Sequence, residues 1–283
     1  GAPQDPEKFR KAREAAQAAD IAVVVIGTDE TVEKEGVDRS SLSLPGDQED
    51  LIKAVFEANP NTVVVLQNGS PLAINWANEN VPAILETFNN GEEGGNALAD
   101  VLFGDYNPAG RLPLTFYASD EQLPSISDYD IRKGRTYMYP VRNFVDPASK
   151  NEKPLYPFGY GLSYTEFSYG PLSLSSDNTS RDGSVIVSAT VTNSGLRVGD
   201  EVVQLYVRDE KTSITRPLIQ LLGFERITLE PGESKKVQFE LPAKDLGYWD
   251  LDKKDVVVEA GMFEIMVGSS SVDIKSQGRL RVK

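Results

Sequence analysis

Residues 21–52 read "IAVVVIGTDETVEKEGVDRSSLSLPGDQEDLI". Ile21–Ile26 is an unbroken apolar run, rich in β-branched side chains and closed by Gly27. It is too short for a helix and suits a buried strand. The next structured segment begins after Pro45 and Gly46. There Asp47, Glu49 and Asp50 crowd the first turn of a helix over about Asp47–Glu57, where carboxylates favour the positive end of the helix dipole. A buried strand, a long charged loop and a helix in that order argue for an α/β fold.

The pattern extends in both directions. Pro6–Ala19 reads as a helix ahead of the strand. Thr62–Leu66 is a second apolar strand, followed by a helix around Leu72–Asn78. Ala83–Leu85 is a third short strand, and "NNGEEGGNALADVLFG" is a glycine-rich turn opening a helix. Fully apolar strands alternating with helices predict a mainly parallel sheet covered on both faces, over residues 1–118. Residues 119–166 read as a long connector rich in Pro, Gly and Tyr, with Tyr156, Phe158 and Tyr160 as buried seam residues. From 167 to 283 the period becomes two. "SVIVSATVTNSG", "EVVQLYVRD" and "GMFEIMVGSS" are strands between Gly, Asn and Pro turns, the pattern of an antiparallel sandwich of the immunoglobulin or fibronectin type III sort. Trp76 and Trp249 read as core or seam residues, and 211–216 as a solvent-facing loop.

Composition narrows the chemistry. The net charge of −14 argues against nucleic-acid partners. No apolar run approaches the roughly 20 residues of a membrane span. There is no Cys and no His, which excludes thiol nucleophiles, Ser-His-Asp triads and imidazole metal sites within this chain. Acid–base work falls to carboxylates, Lys or Tyr.

In parallel sheets, ligands gather beyond the carboxyl ends of the strands. Three polar loops leave that rim: 27–45, "QNGS" and "FNNGEE". The first carries Glu33, Lys34, Glu35, Asp38 and Arg39. An extended run over 32–36 places Glu33 and Glu35 on one side, where two like charges raise each other's pKa. A carboxyl kept protonated near neutral pH is what a general acid requires. Asp38 and Arg39 either pair with each other or anchor the loop. The alternative is a solvated loop with scattered ion pairs. "GEEGG" at a helix start departs from the dinucleotide fingerprint, and close packing of its helix on the sheet is the better account. Asn68-Gly-Ser and Asn178-Thr-Ser match the short N-glycosylation pattern.

"EGVDRSSLSLPGDQEDLI" (35–52), "NPAGRLPLTF" (107–116) and "YPFGYGLSYTEF" (156–167), taken in order, resemble the C-terminal portion of glycoside hydrolase family 3, the β-glucosidase and β-xylosidase type. "EPGESKKVQFEL" and "AGMFEIMVG" resemble that family's terminal fibronectin-III-like domain. The resemblance implies an α/β sandwich domain and a fibronectin-III-like domain. It implies retaining, exo-acting hydrolysis of β-linked glycosides without a cofactor, in a periplasmic or extracellular setting. Glu35, in Glu35-Gly36-Val37-Asp38-Arg39, inherits the general acid/base role, with Glu33 as runner-up. Asp38 and Arg39 support the loop. The family's barrel domain, which carries the nucleophilic aspartate, has no counterpart here. "FNNGEEGG" departs from the family's form at Asn89 and Asn90.

A retaining glycosidase needs two carboxyl groups about 5–5.5 Å apart, and these residues supply one of them. The chain alone is therefore expected to be inactive, with a (β/α) barrel outside it as partner. The alternative is a non-catalytic carbohydrate-binding or scaffolding module derived from such an enzyme.

Overall fold

The computed structural model describes residues 5–139 and 153–283. Residues 140–152 of the expected connector, and 1–4 ahead of the first helix, lie outside the described residues. The chain divides into two compact units.

The first unit takes in the chain up to Phe103, together with Phe116–Leu123 and Lys153–Leu155. It begins with α1 (Pro6–Gln17), capped by Asp5, whose carboxylate accepts from the Glu7 and Lys8 amides. Then follow β1 (Ala22–Gly27), α2 (Gln48–Ala58), β2 (Thr62–Gln67), α3 (Asn75–Asn80), β3 (Ala83–Glu86) and α4 (Gly94–Phe103). The strands form a parallel sheet in the order β1-β2-β3, with Val24 opposite Val64 and Val64 opposite Ile84. α2 packs on β1 and β2, and α1 and α3 pack on α2. Val64, Leu66, Ile52, Leu72 and Ile74 are fully buried in this core.

The expected cover on both faces holds for the central strand β2, where Val64, Val65 and Leu66 are all buried, but not for the edge strand β1. β1 alternates buried and exposed, with Val23 45% and Val25 55% exposed. α4 has no fully buried residue, and Phe103 is 84% exposed. β1 is an edge strand, and its outward Val23 and Val25 are as apolar as its buried Val24, so composition alone does not separate its two faces. A Cβ on Gly91 or Gly95 would meet nothing within 4 Å, and one on Gly94 would first meet Asn90, so these glycines do not serve close packing on the sheet.

The second unit takes in Gly104–Thr115, residues 124–139 and Tyr156–Lys283. Its strands are β4 (Phe167–Tyr169), β5 (Ser173–Leu174), β6 (Asn178–Thr179), β7 (Ser184–Asn193), β8 (Gly199–Asp209), β9 (Gln220–Leu229), β10 (Ser234–Pro242), β11 (Tyr248–Asp250), β12 (Asp255–Val257), β13 (Gly261–Gly268) and β14 (Ile274–Val282). One sheet runs β10-β7-β4, with β5 also on β7; the other runs β6-β14-β13-β8-β9. All pairings are antiparallel except β6 with β14. The inward positions of β7, β8, β9, β10, β13 and β14 form one core around Val187, Val191, Val203, Leu229, Ile265 and Leu280. Phe158 stacks on Tyr137 at 3.9 Å and Tyr156 on Tyr160 at 5.2 Å, all within this unit.

Two side-chain expectations are corrected. Trp249 is 58% exposed on the β11–β12 hairpin, opposite Val256, and is no core residue. Arg216, expected to face solvent, is withdrawn into an ion pair with Asp209 and donates to the Leu246 and Gly247 carbonyls.

Candidate active site

The loop after β1 is closed at its base. Gly27 has φ +147°, and a Cβ there would lie 1.8 Å from the Gln67 carbonyl oxygen. Only glycine permits that approach. Gln48, at the start of α2, grips Gly27 from the other end of the loop. Its Oε1 accepts the Gly27 amide at 2.9 Å, and its Nε2 donates to the Gly27 carbonyl at 2.8 Å. Further along, the Leu42 amide donates to Asp120 Oδ1 at 2.7 Å, and the Leu42 carbonyl accepts from the Ala73 amide at 2.8 Å.

Within this frame the two glutamates part company. Glu33 turns inward. Its Oε1 accepts from Thr28 Oγ1 at 2.5 Å and from the Gly69 amide at 3.0 Å. Its Oε2 accepts from Arg39 Nε at 2.8 Å and from the Ser70 hydroxyl. Arg39 continues from Nη2 to Ser70 Oγ at 2.8 Å and to the Pro71 carbonyl at 2.6 Å. The side chains of Arg39 and Glu33 are 9% and 16% exposed. Burial alone would push the Glu33 carboxyl up, but the donors from Ser70, Thr28 and Gly69 and the Arg39 charge outweigh it and hold the pKa at about 2. Glu33 is thus ionised at neutral pH and has no proton to give.

Glu35 faces the other way. Lys34 and Val37 exchange backbone hydrogen bonds at 3.1 and 2.9 Å, leaving Glu35 and Gly36 as the tip of a tight hairpin. Gly36 has φ +76°, and no positive φ occurs at Glu35, the combination of a type II turn. Glu35 and Val37 are exposed. Among the described residues no hydrogen bond or ion pair reaches the Glu35 carboxyl. The expected shared face of Glu33 and Glu35 is therefore not formed, because the turn breaks the extended run between them. Asp38 is exposed, and Arg39 pairs with Glu33 rather than with Asp38.

The loops after β2 and β3 complete the rim. A Cβ on Gly69 would lie 3.2 Å from Glu33 Oε1 and 3.3 Å from Asn89 Nδ2, so the three rim loops meet there. Asn68 is wholly buried, and its Nδ2 donates to the Ser70 carbonyl at 2.9 Å. Its amide is committed to the fold and is no glycosylation acceptor. Glu86, at the end of β3, accepts the Phe88 amide at 2.8 Å, with Phe88 in the left-handed region at φ +51°. Burial pushes the Glu86 carboxyl up to about 7, against the pull of the Phe88 amide and Asn68. Thr28, Ser70 and Glu86 were not singled out from sequence. The one available signal was that their loops all leave the same rim.

An exposed carboxyl on a rigid turn, held up by a buried ion pair, can transfer a proton to a group brought against the rim. Among the described residues there is no cluster of three or more metal-ligating side chains, and no helix is long and apolar enough to cross a membrane.

The family model described as the glycosyl hydrolase family 3 C-terminal domain matches residues 3–164, and the fibronectin type III-like domain model matches 201–271. The chain is 42% identical to the periplasmic beta-glucosidase of Salmonella typhimurium, over 96% of its own length and 36% of that protein's. It is 42% identical to a beta-xylosidase of Formosa agariphila, over 94% of its own length and 36% of that protein's. The crystal structure of the beta-glucosidase from Kluyveromyces marxianus in complex with glucose superposes with a TM-score of 0.87 at 36% identity, covering all of this chain and 34% of that one. The chain thus spans about a third of the length of these proteins.

Proposed function

Because the chain belongs to glycosyl hydrolase family 3, we propose that it is the C-terminal part of a retaining, exo-acting β-glycosidase in which Glu35 is the general acid/base. The observation that carries this is the contrast within one loop: Glu33 is consumed by Arg39, Ser70, Thr28 and Gly69, while Glu35 stands exposed at the tip of a fixed hairpin. The nucleophilic carboxylate belongs to a barrel domain outside these residues, in keeping with a chain that spans about a third of its relatives. The substrate is a β-linked glucoside or xyloside, and no cofactor takes part. A relative named as periplasmic favours a periplasmic or extracellular setting.

In the first step Glu35 gives its proton to the glycosidic oxygen as the external carboxylate bonds to the anomeric carbon and the leaving group departs. In the second, the Glu35 carboxylate takes a proton from water as that water's oxygen displaces the carboxylate. Thr28, Arg39, Ser70 and the Gly69 amide serve the reaction by fixing Glu33, and with it the base of the hairpin.

The test is Glu35→Gln in the full-length enzyme. Turnover of alkyl β-glycosides should fall by about 10²–10⁴. Activated aryl glycosides, whose leaving groups need less protonation, should lose far less. Equal losses on both substrates would remove the acid role.

A further inference from the structure

Asn68 lies wholly buried between Glu86 and Ser70. Its Nδ2 donates to the Ser70 carbonyl at 2.9 Å and to Glu86 Oε2 at 3.4 Å. Its Oδ1 is also buried and has no hydrogen-bond partner among the described residues. A buried amide oxygen needs a donor. A carboxylate has none to offer; a carboxylic acid has one. Ser70 in turn donates its hydroxyl to Glu33 and accepts from Arg39 Nη2. Glu86 and Asn68 are thus joined to the Ser70 carbonyl, and the Ser70 hydroxyl to Arg39 and Glu33, a connection that passes through the Ser70 residue and ends two residues before Glu35.

We propose that Glu86 is a positioning residue: as a neutral acid it donates to Asn68 Oδ1 and completes the seat from which the Glu35 hairpin projects, and as an anion it undoes that seat. This rests on Glu35 being the acid/base. The proton lost from Glu86 passes to water. The ionised form leaves Asn68 Oδ1 without a donor and places a charge at a half-buried site. The charged groups on the adjoining elements are Glu33 and Arg39 across Ser70, and Glu92 and Glu93 ahead of α4. Among the described residues none of them forms an ion pair with Glu86, so that charge is met only by the Phe88 amide and Asn68 Nδ2. Burial already pushes the Glu86 carboxyl up to about 7, which places the transition near neutrality. Glu86 touches no reacting atom in this arrangement; it acts through Asn68 and Ser70.

Two measurements test it. In the 283-residue chain, ¹³C-labelled glutamate carboxyls and ¹⁵N-labelled asparagine amides are titrated from about pH 5 to about pH 9 by NMR. The Glu86 carboxyl should titrate near 7, and the Asn68 carboxamide and Ser70 amide should move with the same midpoint. Glu86→Gln should abolish that movement at Asn68. A Glu86 carboxyl titrating in the ordinary range, or an Asn68 amide that stays still while Glu86 titrates, would overturn the proposal. In the full-length enzyme, the alkaline limb of the kcat/KM profile should change from a two-proton to a one-proton descent on Glu86→Gln. Superimposable profiles would also overturn it. The NMR titration does not involve the chemistry of Glu35, so its failure is distinct from failure of the acid/base role, which Glu35→Gln reads.

Discussion

Arg39 Nε sits 2.8 Å from Glu33 Oε2, with both side chains nearly withdrawn from solvent. With the donors from Ser70, Thr28 and Gly69, that contact holds Glu33 ionised at neutral pH. Removing one partner of such a pair strands the other's charge. Arg39→Met should therefore destabilise the first unit by about 3 kcal/mol, read by urea unfolding. Arg39→Lys should recover little, because an ammonium cannot reach Glu33, Ser70 and the Pro71 carbonyl together. A loss below about 0.5 kcal/mol for Arg39→Met would show the pair to be solvated.

Glu35→Gln should behave in the opposite way. The side chain is exposed and unbonded, so unfolding should shift by no more than about 0.5 kcal/mol even though activity collapses in the full-length enzyme. A substitution that removed activity and stability together would place Glu35 in the scaffold.

Much of this arrangement was legible in the sequence, and the rest has a physical reason for being hidden. The apolar triplets of β1 and β2, the Pro45–Gly46 break and the period-two strands after 167 each express local preference, and each element formed within a few residues of its expected bounds. The family motif pointed to Glu35. The inward turn of Glu33 was not legible, because its donors Gly69 and Ser70 lie across the rim on another loop. The uncovered face of β1 was hidden because Val23 and Val25 are as apolar as Val24, and composition does not say which neighbours are present. Trp249 misled for a similar reason: its type predicts burial, but it sits on an outward-facing hairpin.

Acid should reveal the Glu33 network. The folded-state pKa is lowered from 4.5 to about 2, so the stabilisation is fully present above about pH 4.5 and is lost as pH falls through about 2. At neutral pH it is on the order of 3 kcal/mol. The unfolding gap between wild type and Glu33→Gln should therefore narrow steadily between those two pH values. A gap independent of pH would deny Glu33 its depressed pKa.

Glu86 should give the reverse sign. Its folded-state pKa is raised from 4.5 to about 7, so its ionisation opposes folding: stability falls as pH rises from about 4.5 and levels off above about 7. Glu86→Gln should flatten the thermal midpoint across that window. An unchanged slope would mean that Glu86 titrates alike in both states.

The second unit carries its own buried charge cluster. Arg111 Nη2 donates to Glu201 Oε2 at 3.0 Å, and the Tyr169 hydroxyl donates to Glu201 Oε1 at 2.9 Å. Burial pushes the Glu201 carboxyl up, against the Arg111 charge and the Tyr169 bond. Arg111 Nε is buried and has no hydrogen-bond partner among the described residues. Such a cluster is expensive to break and of little net worth when intact. Arg111→Met alone should cost about 3–5 kcal/mol. The triple replacement Arg111→Met, Glu201→Leu, Tyr169→Phe should cost much less, since no stranded charge remains. A triple variant less stable than the single one would show that the cluster contributes net stability.

Gly36 offers the sharpest test of the hairpin. Its φ of +76° is one that L side chains rarely adopt, yet a Cβ there would meet nothing within 4 Å. Any effect of Gly36→Ala is therefore backbone strain, not collision, and should cost about 1 kcal/mol of stability. The strain is relieved if the turn between Lys34 and Val37 changes type, which would re-aim Glu35. A displacement of about 1 Å at a catalytic group can cost about 10²-fold in rate. Gly36→Ala in the full-length enzyme should accordingly lower kcat far more than it raises KM, with the larger loss on alkyl glycosides. Asn tolerates the left-handed region better than Ala, so Gly36→Asn should restore most of the rate. If Ala and Asn are equally slow, the loss comes from bulk near the substrate and not from turn geometry, and the hairpin would no longer account for how Glu35 is presented.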